Sequence, residues 1–205
     1  MGKRHRNIYL NIIGVEDKMI IKNPTEIYID DTCYKIRYDM WSILDIIKCF
    51  NDYELNNEEK SIVSLDIFYY DISKINNYEK AIEKMNWFID CGNEPNSKSK
   101  GTPYKLMDWE QDFDLIKPPV NRILGYDIGD KNIHWWTFMS AYMEIFSIEN
   151  NLYRNVIDIR QKIKKGEKLE KYERKFYNEN RDIIELKNKL TPQQKEEAKL
   201  LFGEV

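Results

Sequence analysis

His134-Trp135-Trp136-Thr137-Phe138-Met139-Ser140-Ala141-Tyr142-Met143-Glu144-Ile145-Phe146 is the stretch that decides the fold class. Placed on a helix, it carries two adjacent apolar stripes. Ile133, Trp136, Met139, Met143 and Phe146 form one; Trp135, Phe138, Tyr142 and Ile145 form the other. Both advance by threes and fours, the spacing that keeps side chains on one helix face. Only Thr137, Ser140, Ala141 and Glu144 remain for the far side. A helix apolar around most of its circumference is covered from several sides. The run is shorter than the roughly 20 residues a bilayer requires. It therefore reads as the hub of a helical domain.

Working outward, the same logic organises the rest of the chain. Glu26–Ile29 and Tyr34–Tyr38 are β-branched and aromatic around Asp30-Asp31-Thr32, which predicts a β-hairpin over 26–38 that needs helices, or a partner strand, to pack on. Asp39 caps a helix reaching about Tyr53, with Leu44, Ile47 and Phe50 inward. Asn56-Asn57 starts the next, with Ile62, Leu65 and Phe68-Tyr69 as its apolar face. Asn77 caps a third along Tyr78, Ala81, Ile82, Met85, Phe88 and Ile89, stopped by Gly92. Residues 93–103 read as a mobile loop. A helix from about Asp112 ends at Gly125, with Pro118-Pro119 expected to kink or interrupt it. Asn132 is the expected cap of the hub. Leu152, Val156, Ile159 and Ile163 mark a helix broken at Gly166. Leu169, Tyr172, Phe176, Ile183, Leu186 and Leu190 then follow a heptad interrupted at Glu179, the spacing of a coiled coil. Thr191-Pro192 opens a last short helix. The expected fold is mainly α, a helical bundle with a small N-terminal β-hairpin and a long helical C-terminal extension. Its divisions are an arm at 1–22, a core at 23–165 and the extension at 166–205.

Net charge is −3, but it is unevenly spread. Residues 150–205 hold fourteen Lys/Arg against ten Asp/Glu, and residues 1–22 hold five against two, so the middle is strongly acidic. An acidic body with basic ends suits a charged partner or further copies of itself. Cys33, Cys49 and Cys91 are odd in number and far apart, as reduced, buried thiols would be. Neither a signal peptide nor a transmembrane run is visible.

Catalysis requires a base held beside a partner. The two histidines, His5 and His134, have no nucleophile motif around them, and no phosphate-binding glycine loop exists. The acidic series Asp108, Glu110, Asp112 and Asp114 lacks the glycine and glutamate of a calcium loop; Phe113 and Pro119 stand there instead. It reads better as a helix start. Trp135-Trp136 reads as core packing rather than a base-stacking platform. The basic stretch from Arg160 through Lys164, Lys168 and Lys175 is interleaved with glutamates, which favours a solvated face or an acidic protein over nucleic acid. No cofactor and no metal are expected.

In order, the chain shows the acidic-turn hairpin, Trp87-Phe88-Ile89-Asp90-Cys91-Gly92 before a Lys/Ser loop, the acidic start at Asp108–Asp114, His134-Trp135-Trp136-Thr137-Phe138, and Ile157-Asp158-Ile159-Arg160. Over about residues 24–180 this order resembles the bacteriophage gene product fifteen family of phages and prophages. The resemblance implies a gene between those of the major tail protein and the tape-measure protein. Proteins encoded there are usually tail assembly chaperones. It carries over no catalytic residue. It implies a non-enzymatic protein of the host cytoplasm whose partners are the tape-measure protein, the tail-tube protein and its own copies, with no membrane. A structural tail component and a nucleic-acid-binding protein are the rival expectations. The candidate partner-binding residues are Arg160, Lys164, Lys168, Leu169, Tyr172, Phe176, Ile183 and Leu186; His134, Trp135, Trp136 and Phe138 are the core signature.

Overall fold

The computed structural model describes residues 22–93 and 103–187. The arm up to residue 21, most of the loop at 93–103, Leu190 and the last short helix lie outside the described residues. Strands β1 (Glu26–Ile29) and β2 (Thr32–Lys35) pair antiparallel, Ile29 opposite Thr32. Asp30 and Asp31 both take positive φ, 46° and 63°, as a two-residue type I′ turn requires. The alternation puts Ile27 and Ile29 in the core and leaves Tyr28 outside. The described helices follow: α1 (Met40–Phe50), α2 (Asn57–Phe68), α3 (Tyr78–Ile89), α4 (Trp109–Leu124), α5 (Trp135–Glu144), α6 (Leu152–Lys165), α7 (Lys171–Glu179) and α8 (Arg181–Ile184). The fold is mainly α with one small hairpin, as the sequence leads one to expect.

Local chemistry sets the helix starts. The Asp39 carboxylate accepts the Ser42 amide, and Asn56 and Glu59 form a reciprocal capping box. Asn77 and Asn151 accept the third amide of their helices. Gly92, Gly125 and Gly166 end α3, α4 and α6 in the left-handed region. At Gly92 a Cβ would come within 2.9 Å of the Trp136 ring, so space as well as φ demands glycine.

The hub helix α5 packs on α1 and α4, α1 on α2, α2 on α3, and α3 on β1. Its indoles hold it in place. Trp135 Nε1–H donates to the Ile89 carbonyl and Trp136 Nε1–H to the Phe88 carbonyl, both at 2.8 Å. These carbonyls belong to the last turn of α3, where no intrahelical donor remains. One Trp pair thus fills the core and caps a neighbouring helix. The starts of α1 and α5 are tied side by side, Trp135 N to Tyr38 O at 2.8 Å and Met40 N to Ile133 O at 2.9 Å. Arg37 does for α2 what the indoles do for α3, donating to the carbonyls of Asp66, Ile67 and Tyr69.

Several faces differ from those the periodicity suggests. In α1 the buried stripe is Met40, Ile43, Ile46 and Cys49, while Phe50 is exposed and Leu44 and Ile47 are half-buried. Both stripes are apolar, and only the neighbouring helices choose between them. Ile62, Tyr78, Leu152, Ile163 and Met143 are likewise exposed, and Ala141 is buried. Tyr153 and Arg160 take the inner positions of α6. The hub is capped by His134, not Asn132. Helix α4 starts at Trp109 on an Asp108 cap and runs through Pro118-Pro119 without a break. The two prolines cost the amide bonds to Asp114 and Leu115, but Asp114 is solvent-exposed and Pro119 is buried with Ile116 and Val120, so packing carries the helix past them. Cys33 is exposed rather than buried; all three cysteines are free.

The single coiled-coil helix is replaced by two short ones. Asn180 donates its side-chain amide to the Phe176 carbonyl at 2.9 Å and leaves the helical region, ending α7. Helix α8 then folds back on α6, where Val156, Ile159 and Ile184 make a second small core flanked by Leu169, Phe176 and Ile183.

Candidate protein-docking site

The elements around α6 and α7 are organised by one guanidinium. Arg160 is 5% exposed, and Asp112, in the first turn of α4, is 1% exposed. They meet in a two-pronged pair, Nη1 to Oδ2 at 2.7 Å and Nη2 to Oδ1 at 2.8 Å. The remaining donors reach the carbonyls of Leu106, Ile183 and Ile184 at 2.7–3.0 Å. All five N–H groups of the side chain are used, and the Ile183 and Ile184 carbonyls are the unpaired end of α8. Asp112 also accepts the Asp108 amide at 2.9 Å. The acidic series of the sequence thus divides into a helix cap, Asp108, and an internal anion, Asp112. Burial pushes the Asp108 carboxyl up, but Lys105 at 2.6 Å and the Gln111 and Glu110 amides outweigh it and hold its pKa below the usual value.

A second polar contact sets α7. Glu173 turns inward, where Lys162 of α6 meets it at 2.6 Å, and its other oxygen accepts the Glu170 amide at 2.8 Å. The Lys162 ammonium holds the Glu173 pKa down. With Glu173 and Phe176 facing in, the opposite face of α7 points to solvent: Lys171, Tyr172, Arg174, Lys175, Asn178 and Glu179. Tyr172 is 72% exposed. Lys175 has Glu179 at 3.8 Å, while Lys168, Lys171 and Arg174 have no ion-pair partner among the described residues.

The candidate partner-binding set therefore separates. Lys164, Lys168 and Tyr172 lie on the surface. Leu169, Phe176 and Ile183 are half-buried against the second core, Leu186 is half-buried, and Arg160 is interior. Three of the heptad residues, Leu169, Phe176 and Ile183, are occupied by the chain's own core, while Tyr172 points outward, so the described part of the seam is not one continuous free stripe. The Arg160–Asp112 pair went unrecognised in the sequence, although each residue interrupts an apolar face at helical spacing: Arg160 after Val156, Asp112 before Ile116.

His134 sits at the hub's edge. Its Nδ1 accepts the Trp136 amide at 3.0 Å, so Nε2 carries the proton and donates to the Pro24 carbonyl at 2.9 Å. Tyr38 stacks on the ring at 5.1 Å. Burial pushes its pKa below the ordinary histidine value. This is a cap for α5 and a tether for the segment around Pro24.

A cleft of about 260 Å³ opens between α1 and the start of α4. Trp41, Leu44, Ile47, Trp109 and Phe113 form its walls, the Trp41 and Phe113 rings 5.5 Å apart. Among the described residues no group of three or more His, Cys, Asp or Glu is placed to hold a metal ion, and no helix is long and apolar enough to cross a membrane.

Compared with known proteins, the sequence matches the family described as Bacteriophage Gp15 protein over residues 20–186. The chain belongs to that family. The match spans the hairpin, the hub, the Arg160 clamp and α7. No curated protein and no solved structure matches.

Proposed function

We propose that this Gp15 protein is a non-enzymatic phage tail assembly chaperone that binds the tape-measure protein in the host cytoplasm. The observation that carries the reading is family membership across nearly the whole described chain. Two features support it. The interior groups with chemical potential, His134, Asp112 and Arg160, are all committed to structural partners. The outer surface offers a cationic, aromatic helix face on α7 of the kind that engages acidic or amphipathic helices. The tail-tube protein is a second partner in this scheme, as the recipient of the client.

The test is co-expression with the tape-measure protein of the same phage, affinity capture, and stoichiometry by light scattering. The expected result is a complex with several Gp15 copies per client, and absence of Gp15 from purified virions. No complex would refute the chaperone role, and Gp15 in virions would establish a tail component instead.

A further inference from the structure

We propose that residues 18–22 of the same chain bind along the groove between α4 and α5, continuing the strap at residues 23–25 up the hub helix. Two hydrogen bonds give the strap its direction. The Pro24 carbonyl sits on His134, the cap of α5. The Asn23 side-chain amide donates to the Thr137 hydroxyl at 3.0 Å, about one turn further along the same helix. Each step back in sequence is thus a step towards the C-terminal end of α5. Continued that way, the chain meets Ser140, Ala141 and Glu144. With Asn23 at one end and Ile123 and Leu124 of α4 as the wall, these residues line a groove of about 370 Å³. Its floor is the face that the two apolar stripes of α5 leave over, Thr137, Ser140, Ala141 and Glu144.

Reach, chemistry and sequence agree on the occupant. From Thr137 to Glu144 the helix rises about 10 Å, which about three residues of extended chain cover. Lys22, Ile21 and Ile20 therefore reach it from Asn23 with no linker. Lys22 is the first of this stretch among the described residues and is exposed. Met19-Ile20-Ile21 is an apolar run that matches the Ile123 and Leu124 wall. Glu144 takes the Ser147 hydroxyl but no cation among the described residues. Lys18, just beyond the apolar run, brings an ammonium to that end of the groove. The family match begins at residue 20, so Ile20, Ile21 and Lys22 belong to the same unit as the hub they cover. The contact lies within one chain and needs no client, so it stands or falls apart from the chaperone reading.

The test uses the full chain alone. In the wild type, the backbone amides of residues 20–22 should exchange at least tenfold more slowly than those of unstructured chain. Ser140 is exposed on the groove floor. Ser140→Arg fills that floor and should return those amides to within about twofold of unstructured rates, with the circular dichroism of the fold unchanged. In a Cys33→Ser background, which removes the exposed thiol, Ile21→Cys with Ser140→Cys should close a 21–140 disulfide under mild oxidation. Peptide mapping of the monomer band should find it. Exchange of residues 20–22 at unstructured rates in the wild type, or protection that survives Ser140→Arg, would overturn the proposal. So would the absence of a 21–140 link, or a link found only between two chains, which would make the occupant a second copy's segment.

Discussion

The hub around α5 and the α6–α8 region are both buried, but by different physics. The hub is closed by rings: Trp109, Trp135, Phe138, Tyr142 and Tyr153 follow one another at centroid separations of 5.5–6.5 Å. Its polar atoms, two indole N–H groups and a Tyr142–Tyr153 hydroxyl pair at 3.0 Å, are satisfied without any charge. The second core between α6 and α8 is built on three buried apolar side chains, Val156, Ile159 and Ile184, and the region is held by an internal ion pair. Apolar burial is non-directional and tolerates some rearrangement, whereas a five-bonded guanidinium specifies one geometry. The lesson is that a small core can be given a unique arrangement by a fully satisfied charge, at the cost of failing sharply when one partner is removed.

This contrast can be broken from either side. The largest effect is expected for Phe138→Ala, which empties the centre of the ring cluster and costs about 3–5 kcal/mol of global stability. Urea denaturation should show one transition moved as a whole. Arg160→Met should cost a similar amount, about 3–5 kcal/mol, because Asp112 is left buried and unpaired. Here the loss should be local. Hydrogen exchange would show residues 171–187 opening before the hub, and equal loss of protection in α5 would refute the distinction. Lys162→Met removes the partner of Glu173 and should destabilise α7 less than Arg160→Met does, read as earlier opening of α7 by the same exchange experiment.

The hub has its own sensitivity, to protons. His134 has a folded pKa below its unfolded value of 6.5, so the unfolded chain binds the extra proton more readily. Stability is fully present above pH 6.5 and falls as pH drops through the folded pKa. His134→Asn keeps a capping acceptor and does not titrate, so its melting temperature should lose this component of the acid slope above the carboxylate range. The smallest effect belongs to the surface. Tyr172→Ala should change stability by no more than about 0.5 kcal/mol, while weakening whatever docks on α7.

Much of the fold was legible because it is written locally. The caps at Asp39, Asn56 and Asn77 and the stops at Gly92, Gly125 and Gly166 depend on backbone groups within a few residues. The hub was legible because rings crowd one short stretch. The docking surface was less so. The heptad from Leu169 to Leu190 suggests a continuous seam, but spacing cannot say whether a stripe faces another protein or the chain's own α6. Asn180, where the helix ends, is an ordinary residue until its side chain takes the Phe176 carbonyl.

By itself, the sequence determined the helical class, the presence of a hairpin, most helix ends and membership of the Gp15 family, because these follow from neighbours along the chain. Only the tertiary structure decided which apolar stripe of α1 is buried, that Arg160 meets Asp112 across 48 positions, and that α7 turns a basic aromatic face outward. Those outcomes depend on which surfaces cover one another in space, and periodicity carries no information about that.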